Sequence, residues 1–248
     1  MAEIKGWRQV WSTLNLATAA PKLFTHALRP PPGAPDMPRG DGYGSFTLAK
    51  DGKLTTVGKL ADGENYTSAS YAGPQGQILV FQALTTTKGS IVGTLDIDPN
   101  DDGLLDDTGL EGTLSWARPA NAKSRVYKDG FGPEDITAVG ARYVAPVAPA
   151  LILGMTVGVD KAKLTFADGG LATSVVDPNV DEFDILAGNK ASFVGAVNPG
   201  LVKITLTPAT GLFTGTFTLE DDELRTGTFT GKKLKRTATF NGILTNDG

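Results

Sequence analysis

The stretch Asp96-Ile97-Asp98-Pro99-Asn100-Asp101-Asp102-Gly103-Leu104-Leu105-Asp106-Asp107 carries a dense run of oxygen donors. Counted from Asp98, side-chain oxygens stand at the first, third, fifth and ninth positions (Asp98, Asn100, Asp102, Asp106), with glycine at the sixth. A hard cation needs this spacing, because alternate residues of a tight loop point inward and glycine permits the sharp turn. Calcium is therefore expected on Asp98, Asn100, Asp102 and Asp106. The twelfth position is Gly109 in place of a bidentate glutamate, so Glu111 or Asp107 would have to complete the shell. The competing reading is a solvated hairpin loop in which Asp, Asn and Gly serve turn chemistry alone.

Other chemistry-bearing groups are weaker. Glu220-Asp221-Asp222-Glu223, and Asp181-Glu182 with Asp184, offer carboxylates for glycoside hydrolysis, but spacing along the chain does not set a catalytic separation. Turn and surface acidity is the plainer reading. No Gly-x-Ser-x-Gly elbow is present, and His26 is the only imidazole; its apolar setting, Leu23-Phe24-Thr25-His26-Ala27-Leu28, predicts a packed strand histidine. Trp7, Trp11 and Trp116 suit a sugar-stacking platform or, more simply, the core. Lys232, Lys233, Lys235 and Arg236 suit an acidic polysaccharide or phosphate backbone, yet lack interleaved aromatics and read as an edge-strand guard. Arg39-Gly40-Asp41 is the integrin-recognition tripeptide in a loop expected to be exposed, and chance alone supplies it in about a few per cent of chains this long. Gly40-Asp41-Gly42-Tyr43-Gly44 is read as turn glycine, because a strand and not a helix follows it. Asn65-Tyr66-Thr67 fits a glycosylation acceptor but falls inside an expected strand.

Composition bounds what could hold these groups. The chain has 248 residues with 31 glycines, 15 prolines, no cysteine and one histidine, which removes disulfides, thiolate chemistry and multi-histidine metal centres. A net charge of -4 argues against nucleic acid as the partner. No apolar run approaches the roughly 20 residues of a membrane-spanning helix, and outward positions rich in Thr, Ser and Lys argue against an outer-membrane barrel.

The positioning elements are read from periodicity. Ile4, Trp7, Val10, Trp11 and Leu14 share one face at helical spacing, predicting one N-terminal amphipathic helix that docks on a sheet. It does not read as a signal peptide. Residues 30–42 are proline-rich and predict an exposed loop. From Tyr43 the pattern alternates with period two, predicting strands over 44–48, 54–57, 66–70, 78–84, 90–97 and 112–117, separated by turns at Asp51-Gly52, Asp62-Gly63 and Gly73-Pro74-Gln75-Gly76. Residues 119–150 lose the alternation and read as a Pro/Gly-rich connection. Strands resume over 151–157, 162–166, 182–186, 192–197, 201–206, 212–219, 226–230 and 237–244. Gly44-Ser45-Phe46-Thr47-Leu48 is echoed by Gly215-Thr216-Phe217-Thr218-Leu219, suggesting two related lobes. The expectation is an all-β antiparallel meander forming a closed or nearly closed β-barrel or sandwich. Its divisions are 1–118 (helix and first lobe), 119–150 (connection) and 151–248 (second lobe), or one continuous barrel over 1–248.

In order, Gly42-Tyr43-Gly44-Ser45-Phe46-Thr47, Gly89-Ser90-Ile91-Val92-Gly93, Gly112-Thr113-Leu114-Ser115-Trp116, Gly140-Ala141-Arg142-Tyr143 and Thr210 to Phe217 leading to Phe240-Asn241-Gly242-Ile243-Leu244 resemble glycine-rich β-modules. Such modules lie near the ends of very large secreted or surface proteins of planctomycete-type bacteria. The resemblance spans nearly the whole chain and carries no catalytic residues. In that pattern a glycine-aromatic strand follows the position of residues 246–248, and its lack here predicts incomplete closure. The phrase from Asp98 to Gly103 also resembles the calcium loops of dockerins and thrombospondin type 3 repeats. The resemblance implies a non-catalytic, extracellular structural or adhesive module, secreted or at the cell surface. Its partners would be other domains of a larger surface protein or a cell-surface glycan, without nucleic acid or membrane insertion. A glycan- or small-ligand-binding barrel is the first alternative and a polysaccharide hydrolase the second.

Overall fold

The computed structural model describes residues 6–34, 36–97, 109–124, 127–167, 171, 176–222 and 232–245. The chain is all-β and divides into two units, Met1–Val144 with Ile243–Gly248, and Ala145–Gly242.

The first unit is one eight-stranded antiparallel sheet. Its strands are β1 (Lys22–Arg29), β2 (Gly42–Leu48), β3 (Lys53–Lys59), β4 (Asn65–Tyr71), β5 (Gln77–Ala83), β6 (Ser90–Asp96), β7 (Gly109–Arg118) and β8 (Phe131–Tyr143). They pair in the order β4-β3-β2-β1-β8-β7-β6-β5. The first and last strands share a ladder, Leu23 opposite Tyr143 through Arg29 opposite Thr137, and this pairing rolls the meander into a nearly closed barrel. The remaining seam lies between β4 and β5, which are consecutive in sequence. Side chains bridge it: Ser68 Oγ accepts the Phe81 N–H at 3.0 Å, and Glu64 accepts the N–H groups of Thr86 (2.7 Å) and Thr87 (3.2 Å).

Alternation explains the wall. Phe24, Leu28, Phe46, Leu54, Tyr66, Ile78, Ile91, Leu114 and Ile136 point inward and fill the barrel, with Phe24 stacked on Phe46 at 5.2 Å. Glycines on the inner face admit neighbouring side chains: Gly93 lies opposite Leu114 and Gly112 opposite Leu95, and a Cβ at either glycine would crowd that leucine. Residues of the 30–41 loop cover one end, where Met37 is buried and Ala34 packs on the core. The N-terminal segment covers the other.

That segment is not a helix. Its described residues 6–20 run as coil and bends, and Leu14 is 98% exposed. Ser12 Oγ accepts the N–H groups of Leu14 and Asn15, and Asn15 Nδ2 donates to the Val10 carbonyl, so local side-chain bonds replace the helical ladder. Trp11 half-buries against the core and donates its indole N–H to the Gly73 carbonyl at 3.0 Å. The two tryptophans sit over glycines, Trp11 at Gly52 and Trp7 at Gly73. Their four-residue spacing, which imitates a helix face, serves these two sites on the barrel end.

Residues 119–150 are not simply a connection either, because they contain β8, the longest strand. Its inward positions include Ala138 and Gly140, and a Cβ at Gly140 would meet the His26 Cα at 2.6 Å. Small residues forced by close approach erase the apolar alternation that would reveal the strand.

The second unit holds two three-stranded sheets: β9 (Lys161–Leu164), β10 (Val180–Leu186) and β11 (Lys190–Ser192) in order β11-β10-β9, and β12 (Lys203–Thr207), β13 (Leu212–Asp222) and β14 (Lys233–Ile243) in order β12-β13-β14. Phe166, Phe213, Phe217 and Phe240 cluster around the second sheet, and Phe183 stacks on Phe193 at 4.8 Å. The strand expected over 151–157 is coil and turn with a short 3-10 helix at Ile152–Gly154, that expected over 192–197 is strand only at Ser192, the end of β11, and 226–230 lies outside the described residues. The echoed pentapeptides occupy β2 and β13 and solve the same problem. Gly44 makes room for Tyr66 and His26, and Gly215 makes room for the Phe240 ring.

Candidate functional site

The chain's one histidine lies at the centre of the barrel. His26 faces inward from β1 between Phe24 and Leu28, fully buried, and its Nε2 is 3.0 Å from the hydroxyl of Tyr66 on β4. The two rings meet over glycines: a Cβ built on Gly44 would lie 2.5 Å from His26 Nε2 and closer still to the Tyr66 hydroxyl, and one on Gly58 would lie 2.5 Å from Tyr66 Cε1. Burial lowers the His26 pKa to about 4 and pushes the Tyr66 phenol well above its usual value. A histidine–tyrosine pair can move protons, but this one is sealed inside packed side chains with no carboxylate contributing to its shift. It acts as an internal tie from β4 to β1.

At the barrel end formed by the 60–64, 84–89 and 119–130 connections, Arg118 donates to Asp62 Oδ2 at 2.7 Å with the Asp62 side chain 1% exposed. Arg118 also donates to Ser124 Oγ and lies 5.3 Å from the Tyr127 ring. Trp116 is buried and packs edge-to-face on Phe131 at 4.7 Å. This cluster pins the 119–130 connection to the β3–β4 turn. The sequence marked Asp62 only as a turn residue and did not single out Arg118 or Glu64, because the Arg118–Asp62 and Glu64–Thr86 contacts join connections far apart along the chain.

The other candidates fall as follows. The residues expected to bind calcium, Asp98, Asn100, Asp102 and Asp106, lie outside the described residues. Arg39-Gly40-Asp41 is exposed, with Asp41 Oδ2 at 3.7 Å from Arg29 Nε. Burial raises the Asp41 pKa and Arg29 opposes that rise. Gly42 and Gly44 begin β2, and Asn65 to Thr67 lies in β4. The basic and acidic clusters meet each other: Arg236 donates to Asp221 at 2.6 Å and Lys235 reaches Glu220 at 3.5 Å across β13–β14. Asp184 accepts from Lys161 and Asp181 pairs with Lys163, at 2.7 and 2.8 Å. Lys161, Asp181, Glu182 and Asp184 form the polar wall of a cleft of about 440 Å³ in the second unit, opposite Val194–Val197. Among the described residues no cluster of three or more His, Cys, Asp or Glu could hold a metal ion, and no helix is long and apolar enough to cross a membrane. In comparisons with known proteins, the chain matches no family model, no curated protein and no solved structure.

Proposed function

We propose that this chain is a non-catalytic structural or adhesive β-module of a larger secreted or surface protein. The observation that supports this reading best is the filled barrel: aromatic and aliphatic side chains occupy its interior, and the chain's own segments cover both ends. What such a fold offers a partner is its outer wall and its loops. Its partners on this reading are neighbouring domains of the same surface protein or a cell-surface glycan.

Calcium on Asp98, Asn100, Asp102 and Asp106 is the cofactor part of the proposal. A site held at a hundred times its Kd adds about 2.7 kcal/mol, which raises Tm by several degrees. Melting curves in millimolar calcium and in chelator measure it; coincident midpoints remove the metal, and Asp98→Ala with Asp102→Ala should abolish any shift.

A ligand-binding reading has one specific observation behind it, the second-unit cleft with its Lys161–Asp184 pair facing valines. A glycan array followed by calorimetry on any hit separates the two. Saturable binding lost in Asp184→Ala favours the cleft, whereas no binding, or binding that survives Asp184→Ala, favours the structural or adhesive module. Turnover on a polysaccharide panel, lost on replacing Asp181 or Asp184, would overturn the non-catalytic reading.

A further inference from the structure

The N-terminal strap, residues 6–16, is held on the barrel by two rings. Trp11 lies over Gly52 and Trp7 over Gly73, and the Trp11 indole N–H donates to the Gly73 carbonyl at 3.0 Å. Among the described residues this is the strap's one hydrogen bond to the barrel. Its other bonds are internal, made by the side chains of Gln9, Ser12 and Asn15 and by the Ser12 N–H to the Asn15 carbonyl. The first backbone bond to the barrel comes only at Ala17, whose N–H donates to the Lys50 carbonyl. Val10, Leu14 and Leu16 stay in solvent. Ordering the strap costs backbone entropy at every residue, and two partly buried rings with one hydrogen bond offset little beyond that cost. The surface beneath is complete without the rings. Gly52 and Gly73 belong to turns with their own bonds, Gly52 N–H to the Ala49 carbonyl and Gly73 N–H to the Gln77 carbonyl, and the Ala72 N–H joins the two turns through the Gly52 carbonyl at 2.8 Å. Each glycine leaves a notch that a Cβ would close, 2.6 Å from Trp11 Cδ1 at Gly52 and 2.9 Å from Trp7 Cε2 at Gly73.

We infer that the strap is an autoinhibitory latch over a tryptophan-recognition site. It opens while the barrel stays folded, and the site then takes an extended segment of another chain that carries two tryptophans at the spacing of Trp7 and Trp11. The ligand's chemistry is read from the strap itself, whose two indoles fill the notches while one of them donates to the Gly73 carbonyl. The latch sets a threshold. Joined to the barrel through residues 17–21, the strap competes with any free segment at an effective concentration of about millimolar. Only a partner that binds more tightly, or one held beside the barrel, displaces it.

Two measurements test the latch and the site separately. On the intact chain, exchange of the Trp11 indole proton with solvent reads the opening, and Trp116, buried at the other end of the barrel, is the internal reference. Trp11 is expected to exchange about tenfold faster or more, at a rate unchanged by urea below the unfolding transition. Equal exchange at the two indoles, or a Trp11 rate that climbs with urea as the barrel unfolds, overturns the latch. For the site, the probe is a labelled peptide with the sequence of residues 6–16, titrated by anisotropy against the wild type and against Trp7→Ala/Trp11→Ala. It is expected to bind the variant about tenfold more tightly or more, because in the wild type the attached strap competes. A peptide with both tryptophans replaced by alanine is expected to lose that binding. Absence of saturation up to about 1 mM, equal binding to the two proteins, or binding by the alanine peptide overturns the site. A variant that fails to fold overturns the latch, since the barrel would then depend on its strap.

Discussion

Replacing Tyr66 with alanine is expected to cost the barrel about 4 kcal/mol or more. Two terms add. Removing a fully buried aromatic side chain leaves a cavity, at about 3 to 5 kcal/mol, and His26 Nε2 loses its partner inside a dry core, at about 1 to 3 kcal/mol. Tyr66→Phe keeps the ring and should cost only the second term. The glycine beneath the pair supplies the sharper test. Alanine at Gly44 places a methyl against the Tyr66 hydroxyl and 2.5 Å from His26 Nε2, in a wall whose backbone is fixed by ladders on both sides. Overpacking of this kind costs about 1 to 3 kcal/mol. Because the hydroxyl is the closest obstacle, Gly44→Ala combined with Tyr66→Phe should be less destabilised than the two single costs summed. Urea unfolding of the four proteins yields the coupling energy. Strict additivity would mean that the hydroxyl and the glycine do not share the same space, and the account of the joint would fail.

How much of this was legible in the sequence depends on what each residue had to do. Where a strand buries one face with large side chains, as in β5 with Ile78 and Val80, period-two alternation survives and the strand is readable. Where the inner face must admit a neighbour, the inward residues shrink to Gly140 and Ala138, the pattern vanishes, and β8 reads as a connection. The N-terminal apolar residues deceived in the opposite sense. Trp7 and Trp11 repeat at helical spacing, yet they anchor an irregular strap through Gly73 and Gly52. In the second unit Val157, Val194 and Val197 have high β-propensity but lie in turns or irregular backbone and stay exposed, since propensity without a ladder partner makes no strand. The apolar setting of His26 foretold its packing. Its tie to Tyr66 did not show, because the two residues are joined only when β1 to β4 curl around a common interior. The charged clusters at 220–223 and 232–236 were visible as clusters, and only the β13–β14 hairpin makes Glu220 and Asp221 partners of Lys235 and Arg236.

Acid should unfold this protein through His26 before its surface carboxylates account for the loss. The imidazole has a pKa of about 4 in the folded barrel, against 6.5 for the free side chain, because burial penalises its charged form. A depressed folded pKa means that the unfolded chain binds the proton more readily. The stability held above pH 6.5 is therefore lost as pH falls toward about 4 and stays lost below it. The difference in pKa corresponds to about 3 kcal/mol, a substantial share of the 5 to 15 kcal/mol typical of a domain. Carboxylates titrate in the lower part of the same window, so the comparison must be with a chain lacking only the imidazole. His26→Gln retains an amide that can bond the Tyr66 hydroxyl and does not titrate. Urea unfolding at intervals between pH 7.5 and 3.5 should show the wild type losing about 3 kcal/mol more than the variant; parallel curves would remove His26 as the acid-sensitive group. Should glutamine prevent folding, the wild type alone suffices. With one histidine in the chain, its ring resonances in a proton spectrum are unambiguous. They should hold the neutral position down to about pH 5, and a midpoint near 6.5 in the folded protein would show that water reaches the ring.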